Sequence, residues 1–254
     1  MSDLLLEPSG SKEFGADMST TFALKSVLRR SMLQTLRNMS SLEVEKQSQK
    51  VFEILLNQPF FKTANTVGCY LSMAQGELQT VQILPLSQLT WLQGSSLYTP
   101  YIPVAPPQIR HSKPPPSLAP QQDMHMLRLY SSEDLANCPL DKWGIVDPGL
   151  YRKDNEQSLR EDAMDRKSPD LDLILIPGVA FDKDCNRLGR GKAYYDRFLQ
   201  VYTSSRPRPL LVAIALGPQI LPPDEKVPIT ESDFQLDGVI SPSGIIWRED
   251  VRPA

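Results

Sequence analysis

The residues best suited to chemistry lie together in the stretch 186–196, which reads Asn-Arg-Leu-Gly-Arg-Gly-Lys-Ala-Tyr-Tyr-Asp. It holds three cations, Arg187, Arg190 and Lys192, interspersed with two glycines. Glycines let the backbone approach an anion closely, and the free N–H groups of a first helical turn point at it. Cationic side chains form charge-assisted hydrogen bonds with phosphate oxygens. The pattern therefore predicts a site for a phosphate chain.

The elements on either side of this stretch indicate how it is held in place. Leu171 to Ile176 is a short, continuous apolar run, which is typical of a strand buried on both faces of a parallel sheet. Pro177-Gly178 ends that run, and from about Gly191 the pattern becomes helical and continues towards Val201. A strand, an anion-binding loop and a helix in succession predict an α/β domain.

Two common phosphate-binding motifs are excluded. The Walker A spacing Gly-x-x-x-x-Gly-Lys-Ser/Thr fails, and Ala193 also occupies its Ser/Thr position. The dinucleotide pattern Gly-x-Gly-x-x-Gly is incomplete. A basic anion cradle remains, in which Arg190 and Lys192 could stabilise a phosphoryl group during transfer.

The carboxylate that closes the stretch, Asp196, allows two interpretations. It follows Lys192 by four residues, so on a helix the two side chains would share one face. They would then form a surface ion pair worth roughly 0.3 kcal/mol. Alternatively, Asp196 would hold a hard cation such as Mg²⁺ that bridges phosphate oxygens. The spacing alone leaves both interpretations open.

Composition excludes several other classes of function. The chain has 254 residues, 41% of them hydrophobic, which suits one large domain with insertions. The net charge of −3 and the absence of a long apolar run argue against nucleic-acid and membrane partners. Two histidines and three isolated cysteines disfavour triad, multi-histidine metal and disulfide chemistry. We also expect a monomer.

The N-terminal region is predicted to contain a tail and a helix. Residues 1–20 are polar and without periodicity, so we expect a disordered tail followed by a domain over 21–254. Between Leu24 and Met39, apolar residues recur at intervals of three and four residues, which predicts a helix. Lys25 and Arg29 share its other face, where spacing alone favours contact with solvent.

The same region gives conflicting signs of cellular location. Residues 1–20 carry acidic side chains and no arginine, unlike a mitochondrial presequence, whereas Met18 to Ser41 is basic and free of acids. We expect a cytoplasmic protein, with a mitochondrial one as the alternative.

The remaining pattern predicts a sheet with two insertions. A capping box, Ser40-Ser-Leu-Glu43, predicts a second helix. Residues 103–122 hold seven prolines and are predicted to be an extended insertion, and the charged segment 151–169 a second, flexible one. A loop that contains Glu77 follows the first strand, at the end where open α/β sheets bind ligands. The predicted strands are 66–71, 96–102, 124–130, 171–176, 210–216 and 236–240.

The stretch 186–196, preceded by the Pro-Gly-x-x-Phe-Asp turn at 177–182, resembles the signature of the 5-formyltetrahydrofolate cyclo-ligases, also called methenyltetrahydrofolate synthetases. Lys25-Ser-Val-Leu-Arg29 is similar to the family's N-terminal Lys-x-x-Leu-Arg element. Leu71, Glu77 and Thr80 are similar to its folate-binding element. The resemblance covers roughly 24–101 and 123–242. It implies a single three-layer α/β domain whose open, mostly parallel sheet carries helices on both faces.

The resemblance also implies the roles of individual residues. Arg190 and Lys192 are the implied catalytic residues, and Asp196 and Asp233 the implied Mg²⁺ ligands. The implied ATP contacts are Lys25, Arg29, Arg187, Leu188, Gly189, Arg190, Gly191, Lys192, Ala193, Tyr194 and Tyr195. The implied folate contacts are Leu71, Glu77, Arg190, Gly191, Lys192, Ala193 and Tyr194.

The implied reaction is ATP-dependent ring closure of 5-formyltetrahydrofolate to 5,10-methenyltetrahydrofolate, with release of ADP and phosphate. It needs no protein nucleophile, which agrees with the scarcity of histidine and cysteine. The first alternative is another phosphate-substrate enzyme on a similar sheet, such as a phosphosugar isomerase or CoA transferase. Such an enzyme would not need a pair of magnesium carboxylates, and the basic helix with Lys25 and Arg29 would have no role in it. The second is a non-catalytic folate- or nucleotide-binding protein, which predicts loss of a phosphate or metal residue.

Three positions depart from the family's pattern. Cys185 stands where a glycine is usual, and a left-handed turn there would cost about 1–2 kcal/mol of strain. Ala193 replaces another common glycine, at a position predicted to be helical and therefore favourable to alanine. Tyr101 occupies a position where an arginine often follows the proline of a strand.

Overall fold

The computed structural model describes residues 11–80, 94–103, 123–142, 144–155 and 158–251, with side chains from residue 18 onwards. The helices are α1 (Ser11–Arg37), α2 (Ser41–Leu56), α3 (Pro59–Thr63), α4 (Ser132–Ala136) and α5 (Tyr194–Thr203), with a 3-10 turn at Gly217–Gln219. The strands are β1 (Thr66–Cys69), β2 (Ser96–Tyr101), β3 (His125–Leu129), β4 (Leu173–Ile176), β5 (Ala180–Phe181), β6 (Arg187–Leu188), β7 (Leu210–Ile214), β8 (Gly238–Ser241) and β9 (Gly244–Trp247).

Seven strands form one mixed sheet in the order β3-β2-β1-β4-β7-β8-β9. The five central strands are parallel, while β3 and β9 run antiparallel at the two edges. The strands β5 and β6 form a separate antiparallel ribbon. Strands β2 and β3 pair antiparallel, and Leu97 lies opposite Leu129.

Alternate residues of the central strands pack into hydrophobic cores on opposite faces of the sheet. On one face, Leu173 and Leu175 pack with side chains of α2 such as Phe52. On the other face, Ile174 and Ile176 pack with side chains of α5 such as Phe198. This period of two is the side-chain alternation of a strand, so a continuous apolar run can serve both cores. The predicted three-layer arrangement with helices on both faces is confirmed.

Helix α1 is longer than predicted. It begins at Ser11, so residues 11–20, which were expected to be disordered, are helical; residues 1–10 lie outside the described residues. Extending an existing helix adds one hydrogen bond for each residue fixed, and helix α1 is already held by the buried Met32 and Leu36. Residues 18–20 are exposed, so the polar Ser19 and Thr20 are compatible with a helical as well as an extended chain.

The charged segment 151–169 is ordered where described, contrary to the predicted flexible insertion. Arg128 N–H donates to the carbonyl of Glu161 over 2.9 Å, and Ala163 N–H donates to that of Met126 over 2.9 Å. The segment thereby covers the outer edge of β3, which would otherwise expose unpaired backbone groups. The prediction was wrong because dense charge was read as solvation, whereas several of these charges have partners inside the protein.

Of the proline-rich insertion 103–122, all but residue 103 lies outside the described residues. Helix α2 begins as predicted, with Ser40 Oγ accepting from Glu43 N–H over 3.2 Å. None of the described helices combines the length and apolar content needed to cross a bilayer.

Candidate active site

The site lies where the chain reverses its direction across the sheet. From β1 the chain continues into β2 on one side, whereas β4 pairs with the other side of β1. The carboxyl ends of two such strands leave a crevice between their loops, which is the usual ligand site of open α/β sheets. Here those loops are 70–80, with the predicted folate contacts, and 177–193, with the predicted phosphate contacts.

A buried carboxylate, Asp182, shapes the second loop. Its oxygens accept backbone N–H groups from Asp184 (3.0 Å), Asn186 (2.9 Å) and Val227 (3.0 Å). The first two bonds close the tight turn between β5 and β6. The third ties this turn to the segment that leads to Asp233. Asp182 therefore positions both predicted phosphate and metal segments against each other.

Arg187 leaves this ribbon to bind the first turn of α5. One terminal nitrogen of Arg187 donates to both carboxylate oxygens of Asp196, over 2.9 Å each, and both side chains are largely buried. Phe234 N–H also donates to Asp196, over 3.2 Å. Asp196 is therefore paired with Arg187, and the alternative ion pair with Lys192 is absent from the ion pairs of the described residues.

The ion pair with Lys192, one of the two interpretations that the spacing left open, does not form because α5 begins at Tyr194 and Lys192 lies outside the helix. Ala193 is the N-cap residue, with φ 51° and ψ 26°, and is not helical as predicted. The left-handed conformation turns the chain away from the helical path just before α5. Alanine is therefore strained there instead of favourable.

Cys185 is the second strained residue of this loop. Its φ is 61°, which agrees with the left-handed turn expected where a glycine is usual. Its side chain is fully buried. Cys185 and Ala193 are the two non-glycine residues with positive φ among those that the structure describes. Strain of this kind tends to concentrate at functional loops.

Helix α1 contributes two cations to the site. The Lys25 ammonium donates to Asp233 Oδ2. One turn later, Arg29 Nε donates to the carbonyl of Gly189 over 2.8 Å. A side chain at Gly191 would crowd the Arg29 guanidinium, since an added Cβ would lie 3.4 Å from it, and the φ of +91° there also favours glycine. The solvated basic face that spacing alone favoured is thus part of the site.

Asp233 is held by several donors in addition to Lys25. Thr230 donates to Asp233 Oδ2 from its backbone N–H (2.6 Å) and from its hydroxyl (2.8 Å). Burial acts to raise the pKa of Asp233, but the hydrogen bonds from Lys25 and Thr230 outweigh it, so the pKa lies below its usual value. Asp233 is therefore a carboxylate at neutral pH. All its hydrogen bonds to described residues reach Oδ2, which leaves Oδ1 available.

Glu77 and Arg190 join the two loops of the crevice. Arg190 Nε and a terminal nitrogen both lie 3.0 Å from Glu77 Oε1. Met73 N–H donates to Glu77 Oε2 over 3.0 Å, which fixes the carboxylate within its own loop. The side chain of Glu77 is 10% exposed and that of Arg190 is 39% exposed. Glu77 is thus anchored while Arg190 retains access to a ligand.

The other predicted contact residues differ in how accessible they are. Leu71 and Leu188 are buried, so Leu188 can reach a ligand only through its backbone. Tyr194 and Tyr195 are half-buried and pack against the core beside α5. The hydroxyl of Tyr195 is buried without a hydrogen-bond partner among the described residues, and burial raises its pKa well above the usual value. Lys192 is exposed and contributes to none of the ion pairs found in the described part of the chain.

The carboxylates fit a magnesium ion in part. No three His, Cys, Asp or Glu side chains cluster as a metal cage among the described residues. Magnesium in nucleotide sites, however, needs only one or two carboxylates besides phosphates and water. Oδ1 of Asp233 is available, and Phe234 N–H brings the Asp233 segment against Asp196. To bind the ion, Asp196 would additionally have to release the side chain of Arg187.

Comparison with known proteins decides the family. The sequence profile of the 5-formyltetrahydrofolate cyclo-ligase family matches residues 21–242. The chain belongs to this family. The mouse 5-formyltetrahydrofolate cyclo-ligase is 32% identical over 222 residues, which cover 87% of this chain and 95% of the mouse chain. The mitochondrial cyclo-ligase of Arabidopsis thaliana is 29% identical over 240 residues, covering 91% and 78% of the two chains.

A solved structure extends the comparison to three dimensions. The NMR structure of Aquifex aeolicus 5,10-methenyltetrahydrofolate synthetase is similar with a TM-score of 0.60 and 26% identity, over 91% of this chain and 96% of that one. The resemblance seen in the sequence and the predicted fold class are both confirmed. A phosphosugar isomerase or CoA transferase is thereby set aside.

Three residues that shape this cyclo-ligase site were not predicted. They are Asp182, Thr230 and Gln219, whose side-chain amide donates to the carbonyl of Gly178 over 2.6 Å. The repeated Asp-x-Asp-x-Asn pattern at 182–186 is a turn signal that could have identified Asp182. Gln219 carries no comparable signal, because its partner is 41 residues away.

Proposed function

We propose that this chain catalyses the ATP-dependent cyclisation of 5-formyltetrahydrofolate to 5,10-methenyltetrahydrofolate. The observation that carries the proposal is the contact of Glu77 with Arg190. It joins the loop assigned to folate with the loop assigned to phosphates, at the carboxyl ends of adjacent strands. A reaction between these two substrates needs their reacting groups side by side.

The reaction proceeds in two steps. The formyl oxygen on N5 attacks the γ-phosphorus of ATP, and ADP departs. N10 then attacks the formyl carbon, the phosphorylated oxygen leaves as phosphate, and N10 loses its proton. Phosphorylation turns an oxygen that would be a poor leaving group into a good one.

The protein contributes charge and alignment. Arg190 and Lys192 stabilise the negative charge that spreads over the transferring phosphoryl group. Lys25, Arg29 and Arg187 bind the nucleotide. Glu77 orients the folate, and its anchoring by Met73 N–H limits its movement.

Magnesium would neutralise phosphate charge in this site when bound. Asp233, through Oδ1, and Asp196 are the residues that would hold it. The side chain of Arg187, displaced from Asp196, would then be free to contact a phosphate oxygen.

The direct test mixes the protein with 5-formyltetrahydrofolate, ATP and Mg²⁺ and follows the absorbance of the methenyl product. We expect product that depends on both ATP and Mg²⁺. Absence of product from folded protein would overturn the proposal. If calorimetry then still detected both ligands, the non-catalytic alternative would be supported instead.

Monomeric state and cytoplasmic location stay predictions from the sequence. Light scattering coupled to size-exclusion chromatography tests the first, and fractionation of cells tests the second.

A further inference from the structure

Arg197 is the fourth residue of α5 and is not among the residues assigned to the reaction. The amino-terminal end of a helix carries partial positive charge, so the helix dipole disfavours a cation there. Arg197 is nevertheless held in this position by contacts with the loop that precedes the helix, which contains Lys192 and Ala193.

The side chain of Arg197 turns back towards the strained start of the helix. One terminal nitrogen of its guanidinium donates to the carbonyl of Lys192 over 2.8 Å. Its backbone N–H donates to the carbonyl of Ala193 over 3.0 Å. These carbonyls belong to the two peptide groups that flank the Cα of Ala193, and the φ and ψ angles of a residue describe how its two peptide groups are rotated. Arg197 therefore fixes the left-handed conformation of Ala193 from both sides.

The same guanidinium packs on Tyr194. Its central carbon lies 5.4 Å from the centroid of the Tyr194 ring, which is within the range of a cation–π contact. Arg197 thus touches the side chain of a residue assigned to folate and the backbone of a residue assigned to phosphoryl transfer. One side chain joins the two sets of contacts.

We infer that Arg197 is a positioning residue, which keeps Lys192 directed at the transferring phosphoryl group by locking the left-handed turn at Ala193. The inference rests on the proposed function and adds to it the residue that orders an exposed lysine. Arg197 acts through Lys192, without touching the reacting atoms.

The turn has a competing conformation in which α5 begins earlier. If Ala193 became helical, Lys192 would join the helix four residues before Asp196, which is the spacing of an ion pair. The ammonium would then lie against that carboxylate, away from the phosphate. Alanine favours the helical conformation and disfavours the left-handed one.

The side-chain bond of Arg197 decides between these two conformations. The backbone bond from Arg197 to Ala193 has the spacing of an ordinary helical hydrogen bond, so it is compatible with both. In an extended helix, the carbonyl of Lys192 would instead accept from the backbone N–H of Asp196. The guanidinium of Arg197 now occupies that carbonyl, and a hydrogen bond from a charged donor is stronger than one from a neutral donor.

A surface ion pair does not account for the placement of Arg197. Its Nε lies 3.7 Å from Oδ1 of Asp123, whose side chain is 72% exposed. Exposed pairs at such a distance contribute little, because water screens them. The shorter bond to the carbonyl of Lys192 is therefore the contact that matters, and Asp123→Asn serves as a control for the ion pair.

Steady-state kinetics supply the first test. In Arg197→Met, which keeps the length of the side chain and removes its donors, we expect kcat to fall about tenfold, with less than about a twofold change in either KM. Arg197→Lys retains a charged donor and should bring kcat back to within about threefold of wild type. We expect Asp123→Asn, and Gln200→Met at an exposed position of the same helix, to stay within about 1.5-fold of wild type.

A double variant tests whether Arg197 acts through Lys192. In the Lys192→Ala background, the group that Arg197 positions is missing, so Arg197→Met should lower kcat by less than about twofold. A further tenfold loss would show that Arg197 acts independently of Lys192 and would overturn the inference.

Limited proteolysis reports on the turn without using activity. Trypsin cleaves after lysine where the backbone can open locally, and mass spectrometry identifies the bond that is cut. We expect cleavage after Lys192 to be about fivefold faster in Arg197→Met than in Gln200→Met, since one hydrogen bond of the turn is lost. Cleavage after Lys183, an exposed lysine of the same loop, should proceed equally fast in both variants.

The outcomes separate this inference from the proposed function. If wild type forms product and Arg197→Met retains its kcat, the positioning role is refuted and the enzyme activity stands. A fall in kcat without faster cleavage after Lys192 would also refute it, because Arg197 would then not act through the turn. If folded wild type forms no product, both proposals fall.

Discussion

The Asp134–Arg160 pair and the Lys25–Asp233 pair both join separate segments of the chain, but they differ in their access to water. Asp134 and Arg160 are fully buried, with two contacts of 2.5 and 2.6 Å. The site pair is 9% and 22% exposed. Asp134 also accepts backbone N–H groups from Tyr130 and Lys153, so it has no capacity to accept a ligand.

A structural ion pair therefore differs from one that can exchange its partners in how its remaining hydrogen-bonding sites are used. The deep pair has its remaining hydrogen-bonding sites filled by the backbone, and no solvent reaches it. The site pairs retain an available oxygen at Asp233 and an exposed guanidinium at Arg190. Backbone strain follows the same division, because the residues with unfavourable positive φ, Cys185 and Ala193, lie near the exchangeable pairs.

The largest effect is expected when the deep pair is broken. Arg160→Met leaves the carboxylate of Asp134 buried without a charge partner, and we expect the free energy of unfolding to fall by about 3–5 kcal/mol. Urea unfolding measures it, with Lys226→Met, which breaks the exposed ion pair of Lys226 with Asp184, as a control that changes stability by less than about 1 kcal/mol. Equal losses in the two variants would remove the distinction between deep and surface pairs.

A large effect on activity, without one on stability, is expected at Lys192, which forms no ion pair with the residues that the structure describes. Lys192→Ala removes a charge that we propose contacts the transferring phosphoryl group, so we expect kcat/KM to fall about 100-fold. The unfolding free energy should change by no more than about 0.5 kcal/mol. Lys183→Ala, an exposed lysine in the turn of the same loop, is the matched control. Turnover near that of the control would contradict the catalytic assignment.

Acid should weaken the site pair in a predictable direction. The pKa of Asp233 lies below its usual value in the folded protein, so the pair contributes its full stability above about pH 4, where the unfolded chain also ionises. That contribution, about 1 kcal/mol, is lost as the pH falls through the folded pKa. Unfolding followed from pH 6 to 3 should therefore show a shallower decline in Asp233→Asn than in wild type. If the stabilities of the variant and of wild type declined in parallel, the pair with Lys25 would contribute little to stability.

The smallest effect is expected from relief of strain. Ala193→Gly removes the Cβ that disfavours the left-handed conformation, and we expect a gain of about 1 kcal/mol in unfolding free energy. The control is Ala136→Gly at the end of α4, where glycine should reduce stability by up to about 1 kcal/mol. A loss at Ala193 as well would mean that the left-handed turn is not strained.

Local patterns predicted the elements well because their causes are local. The apolar run 171–176 and the capping residue Ser40 act through neighbours a few residues away. The order of the strands and the contact of Glu77 with Arg190 are not local, and neither was predicted. The assignment of both residues to folate came from the resemblance to the family, because spacing alone supported a phosphate cradle and little more.

The errors arose where a residue's partner is distant. The charges of 151–169 suggested solvation, since nothing near them in the sequence indicates that Arg160 reaches Asp134, 26 residues earlier. Similarly, Lys192 and Asp196 have a helical spacing, but the left-handed Ala193 delays the helix and Arg187 takes the carboxylate. Composition and spacing do not report such competition for a partner.

The contact of Lys25 with Asp233 also bears on how the molecule folds, because 208 residues separate them. Closing so long a loop is entropically unfavourable until the intervening elements have formed. During synthesis from the N-terminus, α1 emerges early but cannot dock its lysine until Asp233 has been made. The helix that begins the described chain is therefore expected to be among the last to reach its final place, and substrate binding competence should appear only after the sheet has formed.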